Sequence, residues 1–511
     1  MHSFISYLPL FAAVAGSVAA LPSKTPVVQS TNCNGHTYVY EEMAGYGFLA
    51  SDERDRYGDS MSLGSSIALD RKTWSRKGNV YEGILYGLPD RGWNTNGTLN
   101  FAGRVYKLHL TLTLNESATV EHPSGPNLKI EYLDSIMLHD PLGHFTTGLD
   151  ANAHGPYLRY PGFPEVPSAR YSGDGFGGAG PGGFQLSLDS EGLALGADGT
   201  FWISDEYGPY VYQFSADGHL LQAVSPPDAY IPVRNNSVSF SADSPPIYDP
   251  SAEVIPSDNP TGRDNNQGFE GLTLSPDGKK LFVLMQSALN QEGGEKKKQR
   301  RHARFAVYDL TEPKPVYSAE YVVPLPFYNN GSKVAAQSEI HYISDTQFLV
   351  LARDSNAGHG QKSSQSVYRH ADVFDISAAT DIKSAANDGF NSTVAPSGTL
   401  VPGVTPAQYC SWLDFNVNSQ LNRFGMHNGG AQDSHLLNEK WESLALLPVD
   451  LDGKNEENEY FLFTFSDNDF ITQNGYMNFG RFKYADASGY NLDNQALVFK
   501  VKLPKGSNPL V

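Results

Sequence analysis

Apolar residues fall in short alternating runs along this chain, bounded by Gly, Asp, Asn and Pro. Examples are HTYVYEE at 36–42, VYEGILYGL at 80–88, KKLFVLM at 279–285, EYFLFTF at 459–465 and QALVFKVKL at 495–503. A period of two places alternate side chains on opposite faces of a strand. The 3.6-residue period of a helix is nearly absent. The pattern predicts an all-β fold of many short strands.

The runs repeat as a unit. SEGLALGADGTFWISDEYG (190–208), FEGLTLSPDGKKLFVLMQSAL (269–289), SEIHYISDTQFLVLARDSN (338–356) and the segment from WESLALL to FSDND (441–469) share one plan. A strand opened by Glu leads to a polar turn, a second apolar strand and a charged or amide cluster. A degenerate first copy starts at Ser65 and ends in PDRGWN. The spacing leaves room for two outer strands in each copy. Four-stranded units repeated in this way predict a β-propeller. About six blades are expected, within a range of five to seven. The strand near 36–49 and the strand at 496–503 are expected to close the ring or complete a sixth blade.

The first residues change the picture of where the protein works. An apolar stretch from Phe4 to about Ala20 ends in small residues, as a secretory signal peptide does, so 1–20 is set apart. The remainder, 21–511, reads as one propeller domain with long insertions near 150–184, 225–265 and 290–304. No later run is apolar enough to anchor the chain in a membrane. Sequons at Asn96, Asn115, Asn235, Asn330 and Asn391 fit a secreted, extracellular glycoprotein. Cys33 and Cys410 are the two cysteines, and in an oxidising compartment they are expected to pair, with free buried thiols as the other reading. The net charge of -19 removes nucleic acid from the partners and suits a soluble protein, expected to be a monomer.

The repeat also fixes where chemistry could sit. The second strand of each hairpin runs back, so its end lies beside the opening Glu. Glu191 should neighbour Asp205 and Glu206, Glu270 should neighbour Gln286, and Glu339 should neighbour Arg353 and Asp354. Glu442 should neighbour Asp467, Asn468 and Asp469, and Ser65 should neighbour Asp90 and Arg91. Radial arrangement gathers these ends at one face of the channel. Crowded carboxylates repel one another, and a hard cation relieves the repulsion. Oxygen donors without clustered His or Cys favour Ca²⁺, so Glu191, Glu270, Glu339, Glu442 and Asp467 are candidate ligands. Asp205 or Glu206 is the candidate base, and Arg91 and Arg353 the candidate anion clamp. The structural alternative is that each repeated Glu cements neighbouring blades, and that each Arg makes a structural ion pair.

At PDRGWN (89–94), DSIMLHDPLGHFTTGLD (134–150), the 188–221 and 266–289 segments and SEIHYISDTQFLVLARDSNAG (338–358), the sequence resembles the phytase-like domain family, described as having esterase-like activity of phytase. The resemblance implies a propeller with functional acidic residues, here Glu191, Asp205, Glu206, Glu270, Glu339 and Glu442. The chain departs from a uniform pattern at Ser65 and Gln286. The reading that follows is a secreted, calcium-dependent hydrolase of an ester or phosphoester. Two alternatives are a non-catalytic propeller that binds a glycan, metal or cell-wall ligand, and a lactonase-type enzyme. The substrate would be a small molecule or an extracellular polymer.

Overall fold

A computed structural model describes residues 27–293, 297–453 and 455–511. The signal segment at 1–20 and the tip of the 290–304 insertion lie outside the described residues.

The alternating runs form five antiparallel sheets set as the blades of a propeller. Blade one comprises Ser66–Lys77, Val80–Leu88, Arg104–Thr113 and Leu128–Met137. Blade two comprises Ser190–Leu195, Phe201–Asp205, Val211–Phe214 and Leu220–Val224. Blade three comprises Phe269–Leu274, Lys280–Met285, His302–Asp309 and Val316–Pro324. Blade four comprises Ala336–Tyr342, Gln347–Arg353, Arg369–Asp375 and Gln408–Asp414.

Blade five closes the ring. Its order is Ala445–Pro448, Glu459–Asp467, Asn494–Lys502, His36–Leu49 and Gln29–Cys33. The N-terminal strands therefore complete the fifth blade instead of starting a sixth. Tyr46 pairs with Leu497 and Tyr40 with Val501 along this seam. Lys500 and Lys502 form ion pairs with Glu41 and Glu459 across it. Cys33 and Cys410 are joined by a disulfide. The bond links the outermost strands of blades five and four, so it cross-links the closing blade to its neighbour.

The core is divided among the blade interfaces. One apolar cluster lies between blades one and two, one spans blades two to four, and two more flank blade five. Blades three and four meet through Phe282, Phe305, Phe348 and Phe374. Sheets built this way bury both faces, which explains why many inner strands read as continuous apolar runs.

The first strand of each blade lines the central channel. Within the channel lies a mostly apolar cavity of about 330 Å³, lined by Ile67, Leu193, Leu272, Ile340, Leu444 and Leu510. His341 Nε2 lies 2.8 Å from the Leu510 carbonyl there, which sets it apart from the acidic face. At the acidic face, loops of blades one and five pack over the ring. Trp93 stacks on Tyr484 at 4.3 Å and donates to Asp486 at 2.8 Å. Among the described residues no helix is long and apolar enough to cross a membrane.

Candidate functional site

The hairpin register explains how carboxylates reach the channel. Ser190 pairs with Asp205, after which the register shifts, and pairing resumes at Leu193 and Ile203. Phe269 and Met285, then Leu272 and Val283, repeat the same irregularity in blade three. A bulge at Glu191-Gly192 and at Glu270-Gly271 turns the glutamate towards the axis. The glycine that follows is required by crowding. A Cβ on Gly192 would stand 2.5 Å from the Glu270 carbonyl oxygen, and one on Gly271 would stand 2.8 Å from the Ile340 nitrogen. The Ser204 hydroxyl fixes the first bulge, donating to the Glu270 carbonyl and accepting from Gly192 N–H, both at 2.7 Å.

Among the described residues, two groups of three carboxylates have their ligand atoms within 4.8 Å of one another. Asp189, Glu191 and Glu206 form the first, on blade two. Asp90, Asp467 and Asp469 form the second, between blades one and five. Their hydrogen bonding differs sharply.

In the second group every carboxylate is engaged. Asp90 accepts from Gly92 N–H and the Asn94 amide. Asp467 accepts from Ser62, Ser65 and Asp469 N–H. The Lys440 ammonium reaches Asp469 at 2.7 Å and Asp467 at 3.4 Å. Asp469 and Phe470 hold left-handed backbone at φ 52° and 54°. Two successive non-glycine residues in that region cost on the order of 1–3 kcal/mol each, and such strain concentrates at functional sites.

In the first group, neither oxygen of Glu206 accepts a hydrogen bond, although the residue is 1% exposed. Asp189 is 1% exposed, and its one close partner is Arg91 at 3.0 Å. Burial, then the neighbouring Asp189 charge, pushes the Glu206 carboxyl up to about 8. Burial, then Glu270 and Glu206, pushes Glu191 well above the usual carboxylate range. A lone buried carboxylate costs several kcal/mol, a large share of the 5–15 kcal/mol that holds a typical protein together. Either a proton or a cation must meet that cost.

The other expected site residues sort by geometry. Glu270 stands at the edge of the first group. Its Oε1 accepts from the Gln286 amide, as the hairpin predicts, and its Oε2 is without a hydrogen bond. Asp205 faces its own turn and accepts from Asp189, Tyr207 and Gly208 N–H. Burial raises it to about 7 in spite of those donors. Glu339 acts as cement. It accepts from Leu272 N–H at 3.1 Å, Ile340 N–H at 2.8 Å and the Ser66 hydroxyl, tying together blades three, four and one. Arg353 reaches across to Glu442 on blade five instead of staying beside Glu339. Asp354 accepts from Ser366 and Val367 N–H.

Asp189 and Lys440 lie just before the repeated Glu of their copies, and the repeat assigns them no role. The signal for Asp189 is its place two residues before Glu191, at the entrance of the strand.

The comparisons with known proteins bear on the same residues. Residues 79–470 match the phytase-like family, described as esterase-like activity of phytase. The chain belongs to the phytase-like family. The matched span holds both acidic groups. The chain is also 54% identical over 484 residues to an uncharacterized secreted protein of Arthroderma benhamiae, covering 90% of this chain and 94% of that one. Among solved structures, this phytase-like chain is similar to a luciferin-regenerating enzyme at 11% identity and TM-score 0.29, covering 90% and 97% of the two chains. It is similar to a gluconolactonase of Xanthomonas campestris at 10% identity and TM-score 0.25, covering 87% and 98%.

Proposed function

We propose that the protein is a secreted hydrolase that cleaves an ester at the acidic face, with a divalent cation held by Asp189, Glu191 and Glu206. The observation that carries this reading is the pair of unpartnered, buried Glu206 oxygens. Three carboxylates against the one Arg91 guanidinium leave two negative charges, which one divalent ion neutralises. The donors are all oxygen, which favours a hard ion such as Ca²⁺. When bound, such an ion supplies Lewis acidity towards a carbonyl or phosphoryl oxygen.

The chain's own residues take the remaining roles. Glu270 serves as proton acceptor, since Gln286 orients one oxygen and leaves the other free. Arg91 orients Asp189. Asp205 shapes the turn that presents Glu206. Secretion rests on the N-terminal signal pattern and on the secreted relative. Asn96, Asn235, Asn330 and Asn391 are exposed, as glycan acceptors must be, and Asn115 is half-buried.

The test pairs metal analysis of purified protein with an ester, lactone and phosphoester panel, run with and without chelator. Turnover that stops with chelator and with Glu206→Gln is expected. Folded protein whose turnover ignores both overturns the cation's role. No turnover on any substrate favours the binding propeller.

A further inference from the structure

Hairpin register allows the acidic site to be compared blade by blade. In blade two, Asp189 and Glu191 flank Ser190, and Glu206 follows Ser190's partner Asp205. In blade five, Lys440 and Glu442 flank Trp441, and Asp467 follows Trp441's partner Ser466. The two triplets therefore occupy the same three positions of the repeat: Asp189, Glu191 and Glu206 in one, Lys440, Glu442 and Asp467 in the other. They differ in charge at one place, where blade two has an aspartate and blade five a lysine. Two further blades have uncharged residues among the three positions: Gly268 and Gln286 in blade three, and Ala336 and Ser338 in blade four.

The contacts follow from that difference. Lys440 Nζ lies 3.4 Å from Asp467 and 3.7 Å from Glu442, its two partners in the triplet. It also bonds Asp469 in the adjoining turn. Among the described residues no ammonium enters the blade-two triplet, Arg91 pairs with Asp189, and Glu206 accepts nothing.

We propose that blade five carries a second copy of the blade-two cation site, in which the Lys440 ammonium is itself the cation. This rests on the reading of Asp189, Glu191 and Glu206 as a divalent-cation site. It makes the face a centre of one exchangeable ion beside one fixed positive charge. Lys440 is then the residue that sets how many ions the protein takes up.

The test is a charge swap read by counting ions. Bound Ca²⁺ per chain is measured by equilibrium dialysis for the full secreted protein, Lys440→Asp, Asp189→Lys and the double swap. Lys440→Asp is expected to take up one more Ca²⁺ than the wild type, Asp189→Lys one fewer, and the double swap the same number. A folded Lys440→Asp protein that gains no ion overturns the inference, as does a wild type that already fills both triplets. The two readings fail separately. If the wild type binds none and Lys440→Asp binds one, the assignment of Lys440 stands and the blade-two cation falls. If both bind one, the blade-two cation stands and the assignment falls. Lys440→Ser serves where Lys440→Asp does not fold: an added ion supports the inference, and no added ion overturns it.

Discussion

Glu206 and Asp467 stand at the same position of the repeat, yet Asp467 accepts from two serine hydroxyls and a backbone N–H and pairs with Lys440, while Glu206 accepts from nothing. One carboxylate is finished by the fold. The other is left for something the chain does not supply.

Replacing Glu206 by Gln should therefore stabilise the protein when divalent cations are removed. The change takes away an uncompensated buried charge, and a gain of about 1–3 kcal/mol is expected. Thermal melting in chelator checks it. With Ca²⁺ added the order should reverse, because a bound ion stabilises the wild type alone. A variant less stable than the wild type in chelator would contradict the account.

Among the described residues the cations nearest the acidic groups are engaged: Arg91 with Asp189, Arg353 with Glu442, Lys440 with three carboxylates, and the buried Arg263 with the Tyr207, Phe240 and Ser241 carbonyls. None of these is left over to clamp a phosphate dianion, and the surrounding carboxylates repel one. Uncharged esters or lactones should be cleaved with kcat/KM at least about tenfold above phosphomonoesters, a difference of about 1.4 kcal/mol. Steady-state rates on matched substrates decide it, and preference for the phosphomonoester would count against this charge argument.

His341 makes the lower channel sensitive to acid. Burial holds its imidazole down at about 4, against about 6.5 in an unfolded chain. A depressed folded value means that its contribution is complete above about 6.5 and is lost as pH falls towards 4. The melting temperature should decline through that window, and less steeply in His341→Gln. Equal slopes in the two proteins would remove His341 as the cause.

The disulfide adds a covalent link between blades four and five, which also meet through a shared apolar cluster and the Arg353–Glu442 pair. Changing Cys33 and Cys410 together to serine should cost about 2–5 kcal/mol. Denaturant unfolding measures the difference, and an unchanged midpoint would show that the seam of Tyr46, Leu497 and their neighbours suffices.

Much of this was legible in the sequence, and the limits have physical causes. Hairpins are local, so alternation and turn residues placed Glu191 beside Asp205 and Glu270 beside Gln286. Contacts between blades are not local. Nothing in the 338–356 segment shows that Glu339 bonds Ser66 in blade one, or that Arg353 turns to Glu442. Ring closure is the most distant contact of all, so strands 29–33 and 36–49 could equally have begun a sixth blade. Asp189 and Lys440 escaped notice because they lie before the repeated Glu, and a lysine breaks an acidic pattern unless the blades are compared position by position.

Calorimetric titration of Ca²⁺ into chelator-stripped wild type and Glu206→Gln tests the central claim most directly. Saturable binding by the wild type and its loss in the variant are expected, with both proteins folded. Identical isotherms for the two proteins would contradict it.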